Sequence, residues 1–263
     1  MAKLAFPQLT SGALAQYPLR KQRVIQSYAN AFADGSMIVS NINANSQFTW
    51  ELVYSDLTTA DQSAIDNHFV SCKGALLPFI FIDPTDNMIS ASSNLTIGTW
   101  EADPNLLVTA GAIDPLGGTR AFILVNSGQT DQKLSQQIPA PAKFQYCFSI
   151  FASAPSPTGI SLVQAAASSQ SRQFTVGSAW TRLVNSSRLA DDQMTFTISI
   201  VVPAGQTVTV FGPQLEPQPS PSPYRATALN GGIYANAHFL GDSITFESDA
   251  PGLFSAFISI ETT

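Results

Sequence analysis

The chain has 263 residues, of which 44% are hydrophobic and 11% charged, and its formal net charge at pH 7 is −6. This hydrophobic content excludes a chain that is disordered throughout, and the length allows one large or two ordinary domains. No segment reaches the roughly 20 apolar residues of a membrane-spanning helix, so we expect no membrane insertion.

The first predicted element is a β-hairpin in residues 23–40, which follows an N-terminal arm. It turns at Asp34-Gly35, a pair typical of tight hairpin turns, and its second side carries Met37, Ile38 and Val39. Residues 48–55 then alternate apolar and polar side chains, the pattern of a half-buried strand.

A single helix is predicted after this strand. Thr58 followed by Asp61 is an acidic variant of the capping box, and Gly74 is placed to end the helix in a left-handed conformation. A continuously apolar run, 78–82, predicts a buried strand that ends at Asp83-Pro84, because proline has no N–H to donate. We expect the helix to bury one stripe of residues: Ala60, Ala64, Ile65, Phe69 and Val70.

Residues 95–226 contain many short alternating strands separated by turn residues, which is typical of an antiparallel sandwich. In residues 143–153, for example, Phe144, Tyr146, Phe148 and Ile150 alternate with smaller or polar residues. The alternating prolines of "EPQPSPSPYRAT" predict a stiff, extended exit from this region.

Three further strands are predicted in 227–263, too few for a stable domain. We therefore expect them to return to the first part of the chain. The predicted domains are 1–94 with 227–263, split by an inserted antiparallel jelly roll, 95–226. The fold class is mainly β, with one α-helix in the split domain.

The sequence contains no recognisable catalytic or metal-binding constellation, and no cofactor is expected. Neither His68 nor His238 has a ligand partner at a metal-binding spacing, and Asp191 and Asp192 point to opposite faces if they lie on a strand. Cys72 and Cys147 are expected to be free, buried thiols of a protein made in a reducing cytoplasm.

Residues 7–12 "PQLTSG", with the preceding Phe6, and 48–86 "FTWELVYSDLTTADQSAIDNHFVSCKGALLPFIFIDPTD" resemble the belt domain of distal tail proteins of long-tailed phages and gene transfer agents. The resemblance is carried by the order of the pieces: an aromatic strand, a Thr-Asp cap, Lys-Gly, an apolar strand and Asp-Pro. An unrelated α+β domain with the same local features is the alternative.

The closing runs of the inserted region, "WTRLV", "VFGPQLE" and "SPYRAT", resemble jelly-roll carbohydrate-binding modules of phage tail proteins. Trp180 and Phe211 are interpreted as core residues. Trp100 and the loop expected around Asn185 are the candidate ligand-binding residues.

The resemblance implies a non-enzymatic hub ring at the tail tip of a virion. The protein would be made in the bacterial cytoplasm, form a homohexamer and join a tail tube protein to a baseplate hub protein. A glycan-binding adsorption protein that contacts host polysaccharide is the alternative, and the module is otherwise a spacer. A depolymerase is disfavoured because no paired acids are visible.

Charge is unevenly spread. Residues 95–226 hold seven Lys/Arg and seven Asp/Glu, so the net −6 lies in the rest of the chain. Specific nucleic-acid binding is therefore not expected. In a ring, acidic residues would let DNA pass without binding it; plain solubility is the alternative explanation. The lumen candidates are Asp34, Asp56, Asp242, Glu247 and Asp249, and the candidates for subunit contacts are Lys3, Arg20, Lys21 and Arg23.

Overall fold

The computed structural model of the chain describes residues 4–25, 27–41 and 47–262. These form eighteen strands and one helix. In chain order they are β1 Leu19–Val24, β2 Ser27–Ala31, β3 Met37–Asn41, β4 Gln47–Thr58, α1 Thr59–Cys72, β5 Phe79–Ile82, β6 Glu101–Ala102, β7 Leu106–Ala112, β8 Ala121–Asn126, β9 Gln132–Ile138, β10 Gln145–Ser153, β11 Thr158–Ala165, β12 Ser169–Val176, β13 Thr181–Arg188, β14 Phe196–Val202, β15 Thr207–Glu216, β16 Ile233–Phe239, β17 Phe246–Ala250 and β18 Leu253–Thr262.

The chain forms two compact units. Unit 1 contains the described residues of Met1–Pro7, Ala15–Phe81 and Tyr234–Thr263, and unit 2 contains Gln8–Leu14 and Ile82–Ile233. The C-terminal strands therefore belong to the same unit as β1–β4 and α1. The boundaries expected from the sequence, 1–94, 95–226 and 227–263, stay a prediction.

Unit 1 is built on a six-stranded sheet of order β1-β4-β18-β16-β5, with β17 also paired to β18. The hairpin β2–β3 forms a separate two-stranded sheet. Its turn carries Gly35 at φ 84°, and the Asp34 carboxylate accepts the Ser36 amide at 2.9 Å. The predicted hairpin and its turn are confirmed.

Helix α1 begins as the sequence predicts. The Thr58 hydroxyl accepts from the Asp61 amide at 3.2 Å, and the Asp61 carboxylate accepts from the Thr58 amide at 3.2 Å, which completes a capping box. The C-cap is Lys73, which is left-handed at φ 55°, and Gly74 follows at φ 65°.

The predicted buried stripe of α1 is wrong in part. Ile65 is buried, but Val70 is 65% exposed and Ala60 and Ala64 are exposed. The helix instead buries Asp61, Ile65, His68 and Cys72. The His68 ring packs against aromatic rings of unit 1, with centroids 4.9 Å from Phe79, 5.7 Å from Phe239 and 5.8 Å from Phe6. The helix buries this face, rather than the predicted stripe, because it packs against the aromatic side chains of unit 1.

Unit 2 is a sandwich of two five-stranded sheets. Sheet A has the order β13-β10-β15-β8-β7, and sheet B has the order β12-β11-β14-β9-β6. Every strand pair within them is antiparallel. Between the sheets, Tyr146 of β10 stacks on Phe196 of β14 with centroids 4.8 Å apart. The mainly β fold class with a jelly-roll sandwich is confirmed.

Both cysteines are buried free thiols. Burial raises the pKa of Cys72 to about 11 and that of Cys147 to about 12. Both thiols therefore stay protonated at neutral pH, which makes them poor nucleophiles. In the part of the chain that the structure describes, no helix is long and apolar enough to span a membrane.

Candidate ligand-binding face

The outer face of sheet A carries aromatic and arginine side chains in adjacent strands. Side chains alternate along β10, so Phe151 points away from the core that Ile150 and Ala152 enter. The register places Arg182 of β13 opposite Phe151 on one side and Phe211 of β15 opposite it on the other. Three neighbouring strands therefore contribute one side chain each to a single row.

The ring geometry continues this row beyond β15. Phe151 and Phe211 have centroids 6.2 Å apart, and Tyr224 meets Phe211 edge-on at 5.2 Å. The Arg182 guanidinium lies 5.4 Å from the Phe151 ring centre, and that of Arg120 lies 5.4 Å from the Phe211 ring centre. Both distances are in the range of cation–π attraction. We call these five residues the aromatic–arginine row.

The other end of the same face is covered by neighbouring segments of unit 2. The Gln8 side-chain carboxamide accepts the Gln145 backbone amide at 2.7 Å and donates to the Gln145 carbonyl at 2.9 Å, so it satisfies both backbone groups at the start of β10. The Ser186 hydroxyl donates to the Pro219 carbonyl at 2.6 Å. Cys147, which pairs with Ser186 in the register of β10 and β13, is fully buried.

A buried acid fixes the position of Arg120. Its Nε donates to Asp114 at 2.8 Å, and the same carboxylate accepts the Leu116 and Gly118 amides at 2.8 and 3.2 Å. The bond from Arg120 lowers the pKa of Asp114 to about 2. Arg120 is thereby held over Phe211 although its own side chain is exposed.

Tyr224 and its neighbours close one side of the row. Its hydroxyl donates to the Ser92 carbonyl at 3.2 Å, and burial raises its pKa. A cavity of about 30 Å³, large enough for one water molecule, is lined by Ser92, Ser93, Arg120, Phe211, Tyr224 and Ala226. Tyr224 is half-buried, so part of its ring remains accessible.

Arg182 is half-buried at the edge of the row. One terminal nitrogen donates to the Ser149 hydroxyl at 3.0 Å, while the buried Nε has no hydrogen-bond partner among the described residues. Guanidinium groups present several donors in a fixed plane, which suits ligands rich in oxygen acceptors.

The two predicted ligand-binding residues lie elsewhere and are buried: Trp100 lies in a loop as expected, but not at the surface, and Asn185 lies in a strand. The Trp100 indole is 6% exposed and donates to the Ala91 carbonyl at 3.3 Å. Asn185 is 4% exposed, lies inside β13 rather than in a turn, and donates to the Leu162 carbonyl at 2.9 Å. Internal hydrogen bonds explain why both polar groups are tolerated in the interior.

Phe151 is the residue that the sequence interpretation missed. It follows Ile150 directly, so it breaks the apolar alternation that runs through Phe144, Tyr146 and Phe148. Its presence could have been inferred from the sequence, because Phe151 is a large apolar residue at a position of β10 where the alternation predicts a polar or small one. Phe211, interpreted as core, is 4% exposed, but it lies on the outer face of sheet A.

Those residues proposed from the ring resemblance that the structure describes all lie in unit 1. The five lumen candidates are exposed: Asp34, Asp56, Asp242, Glu247 and Asp249. Of the subunit-contact candidates, Lys3 lies outside the described residues, and Arg20 forms an ion pair with Glu51 at 3.5 Å. Lys21 and Arg23 lie over the Phe48 ring at 4.7 and 4.8 Å.

The residues excluded from catalysis have structural contacts. Burial lowers the pKa of His68 to about 4, and its Nε2 lies 3.6 Å from the Cys72 sulfur. The Nδ1 atom of His238 lies 3.0 Å from the Ala75 carbonyl oxygen. Asp192 pairs with Lys143 at 3.0 Å, while Asp191 accepts the Ser168 hydroxyl at 2.7 Å.

The chain matches no protein-family model and no curated protein. Among solved structures it is similar to the family 22 carbohydrate-binding module of Clostridium thermocellum Xyn10B, with 16% identity and a TM-score of 0.41 over 51% of this chain and 96% of that one. It is also similar to TmCBM61, solved with β-1,4-galactotriose, with 14% identity and a TM-score of 0.36 over 49% of this chain and 97% of the module. A third match is the enzymatically active domain of Bacteriophage CBA120 tailspike protein 4, with 15% identity and a TM-score of 0.41. That match covers 52% of this chain and 22% of the tailspike chain, so this chain spans about a fifth of it.

Proposed function

We propose that this chain is a glycan-binding protein of a phage-like tail, and that it binds sugar on the outer face of sheet A. The observation that carries the proposal is the aromatic–arginine row, where Arg182, Phe151, Phe211, Tyr224 and Arg120 follow one another across the sheet. The proposed role is adsorption to host polysaccharide without turnover.

The chemistry of a sugar ring fits such a row. A pyranose offers a C–H-rich face that packs against an aromatic ring, and its hydroxyl oxygens accept hydrogen bonds at the edge. Phe151 and Tyr224, both half-buried, supply the rings. Arg182 and Arg120 supply donors beside them, and pairing with Asp114 leaves Arg120 with little net charge to contribute. The row therefore favours hydroxyl-rich glycans, with Arg182 as the charged donor.

The proposal is tested by titrating glycans into the full chain and measuring heat. β-1,4-Galactotriose, with which one similar module was solved, is the first ligand, followed by plant polysaccharides and an array of bacterial surface sugars. Phe151→Ala is expected to weaken binding by about tenfold, because an aromatic contact contributes about 0.5–1.5 kcal/mol beyond its buried area. Arg182→Gln removes the guanidinium with its planar set of donors and its charge, and is expected to have a similar effect.

Two matched variants separate a local effect from a general one. Val163→Ala truncates a half-buried apolar side chain of sheet B, and Arg172→Gln removes a guanidinium that lies 5.3 Å from the Phe174 ring centre. Both should bind like the unchanged chain. No binding to any arrayed glycan, or equal losses in all four variants, would refute the proposal.

A second candidate function is the tail-tip hub: a homohexameric ring between a tail tube protein and a baseplate hub protein. It is favoured by the exposed apolar hairpin of unit 1, where Met37 is 62%, Ile38 57% and Val39 64% exposed. Contiguous exposed apolar surface commonly marks a protein contact.

The hub candidate is tested by mixing the full chain with purified tail tubes and imaging the tube ends. A ring at one end of each tube would support it, and the triple change Met37→Ser/Ile38→Ser/Val39→Ser should abolish that ring. Tubes with bare ends beside a folded chain would remove this candidate and leave glycan binding untouched.

A further inference from the structure

One edge of sheet A is a long strand without charge. Strand β7 lies at the end of the sheet and, among the described residues, pairs only with β8. Its seven residues, Leu106–Ala112, include no charged residue and no proline. The opposite edge of sheet A, β13, carries Arg182 and Arg188, and the long edge strand of sheet B, β12, carries Arg172. Charge and proline on an edge strand normally prevent it from pairing with another chain, so β7 lacks the usual protection.

The backbone of β7 presents hydrogen-bonding groups at this free edge. The Leu106 amide turns away from β8 and donates to the Asp103 carbonyl at 2.9 Å. Because successive residues of a strand bond to alternate sides, Val108 and Ala110 also direct their N–H and C=O groups away from β8. In the part of the chain that the structure describes, neither residue forms a backbone hydrogen bond on that side. Two donors and two acceptors therefore stand at the edge.

The edge is accessible in the whole chain. Leu107 is 63% exposed, and Thr109, Ala110 and Gly111 are exposed. Gly111 has a positive φ of 96°, and no atom from elsewhere in the chain lies within 4 Å of the position that a Cβ would take there. A glycine within a strand often marks a bulge or a place where another backbone approaches closely. The bulge at Gly111 lies near the end of β7 and leaves Leu107–Ala110 in regular register.

We propose that β7 of one copy pairs antiparallel with β7 of a second copy, about a two-fold axis at Thr109. In this register Val108 lies opposite Ala110 of the second copy, and each such pair exchanges two hydrogen bonds through the groups that face the edge. Thr109 lies opposite its own counterpart, and a Thr–Thr pair across strands is favourable. Leu107 lies opposite Gly111 of the second copy, which has no side chain to obstruct it.

The composition of β7 selects a second copy as its partner. Identical β7 strands bring only uncharged side chains together, whereas two β13 strands would bring arginines together. The two-fold axis also places the start of one strand beside the end of the other. Leu107 and Ile113, which are 63% and 71% exposed, therefore come close across the contact. Their burial adds an apolar contribution to the backbone hydrogen bonds.

The contact would join two five-stranded sheets A into one continuous sheet. Residues that face each other in an antiparallel pair lie on the same face of a sheet. The two copies would therefore present two aromatic–arginine rows on one face, and two linked sites bind a repeating polymer more tightly than one. The inference concerns β7 and does not depend on glycan binding by the row.

The test measures the mass of the full chain by sedimentation from about 1 to about 200 µM protein, a range suited to a small interface. The unchanged chain should form dimers. Raising the salt from about 50 to about 500 mM should leave the association unchanged, because no charges pair across the contact. A chain that is monomeric at every concentration would overturn the proposal.

Thr109→Lys and Thr109→Glu test the two-fold register. Each variant places two like charges opposite each other at the axis, so each alone should associate at least about fivefold more weakly than the unchanged chain. A 1:1 mixture places lysine opposite glutamate and should associate at least as tightly as the unchanged chain. If either variant alone associates fully, or if the mixture does not recover, the pairing at Thr109 is wrong.

Ser171→Lys is the matched control, because Ser171 is an exposed residue of the edge strand β12. It should associate like the unchanged chain, and a loss equal to that of Thr109→Lys would contradict a contact at β7. Circular dichroism of each variant establishes that it is folded.

Cross-linking gives a second readout that needs no charged variant. Both native cysteines are buried, so a new surface cysteine reports the contact. Thr109→Cys should form a disulfide between two copies under mild oxidation, because residues that face each other across an antiparallel pair lie within disulfide reach. Leu107→Cys should not, because its counterpart is displaced along the strand. No cross-link in Thr109→Cys, or equal cross-linking of both variants, would overturn the register.

Discussion

Unit 1 and unit 2 differ in how they treat the outer surfaces of their sheets. In unit 2, segments of its own chain cover part of sheet A through bonds such as that of Gln8 with Gln145. In unit 1, the hairpin β2–β3 exposes a run of apolar residues from Met37 to Val39. Large exposed apolar surface is rare on monomers. The exposed apolar run is the basis for proposing a protein partner of unit 1, whereas the ligand proposed for unit 2 is a glycan.

The charges follow the same division. In unit 2, Arg120 pairs with Asp114, and Lys143 pairs with Asp192, so opposite charges neutralise each other locally. In unit 1, the cations of β1 and the acids of β17 lie on different strands at different edges. Unit 1 also contains an ion pair, Arg20 with Glu51 at 3.5 Å, but Glu247 and Asp249 of β17 are exposed.

The largest expected change in stability comes from a core residue of unit 2. Phe148 is fully buried between the sheets, so Phe148→Ala should lower the free energy of unfolding by about 3–5 kcal/mol. Phe32→Ala is the matched control, since Phe32 is 50% exposed in unit 1, and it should change stability by no more than about 0.5 kcal/mol. Urea denaturation of both variants measures the difference, and equal effects would contradict the assignment of core and surface.

The two units should lose stability in different pH ranges, and unit 1 should respond first as the pH falls. Burial holds His68 neutral by lowering its pKa from 6.5 to about 4. The unfolded chain therefore binds a proton first as pH falls, and the stability of unit 1 should decline between pH 6.5 and 4. The loss is about 3 kcal/mol at its limit. His68→Gln should flatten the urea midpoint of unit 1 across this range, and an unchanged slope would contradict the explanation.

Unit 2 should respond at lower pH. The pKa of Asp114 is lowered from 3.8 to about 2 by its bond to Arg120. Its contribution to stability is complete above pH 3.8 and is lost as pH falls through 2. Asp114→Asn should remove this acid-dependent step from the unfolding of unit 2 while leaving the His68 step in place. If the acid-dependent step persists in Asp114→Asn, another carboxylate causes it.

A smaller effect is expected at the start of α1. Thr58→Ala removes the hydroxyl that accepts the Asp61 amide, which should cost unit 1 about 1 kcal/mol. Thr59→Ala, one residue later and exposed, should be near neutral. Thermal unfolding followed by circular dichroism compares the two, and equal shifts would show that the cap does not stabilise the helix.

Local features of the fold could be predicted because their causes are local. The cap at Thr58 needs only a side chain three residues away, and the turn at Asp34-Gly35 needs only a glycine that adopts positive φ. The strands of unit 2 follow from alternation within each segment. The strand before Asp83 ends there because Pro84 cannot continue the ladder.

The candidate site could not be predicted in the same way. Phe151, Phe211 and Arg182 meet because three strands, distant in the chain, pair in one register. Trp100 was expected at the surface, yet its indole finds a buried carbonyl at Ala91. The residues next to Phe151 in the sequence do not reveal the strand register, and those next to Trp100 do not reveal that its indole bonds to the Ala91 carbonyl.

Although the sequence did not reveal β1 at Leu19–Val24 or the strand that contains Asn185, it specified the start of the helix, the turn at Asp34-Gly35 and the end of β5 before Pro84, because capping, glycine and proline act over a few neighbouring residues. It also determined the excess of acid outside residues 95–226. Only the tertiary structure decided which helix face is buried, which arginines meet aromatic rings and which strands remain at the edges of a sheet. These depend on contacts between distant segments, whose partners are chosen by the packing of the whole unit.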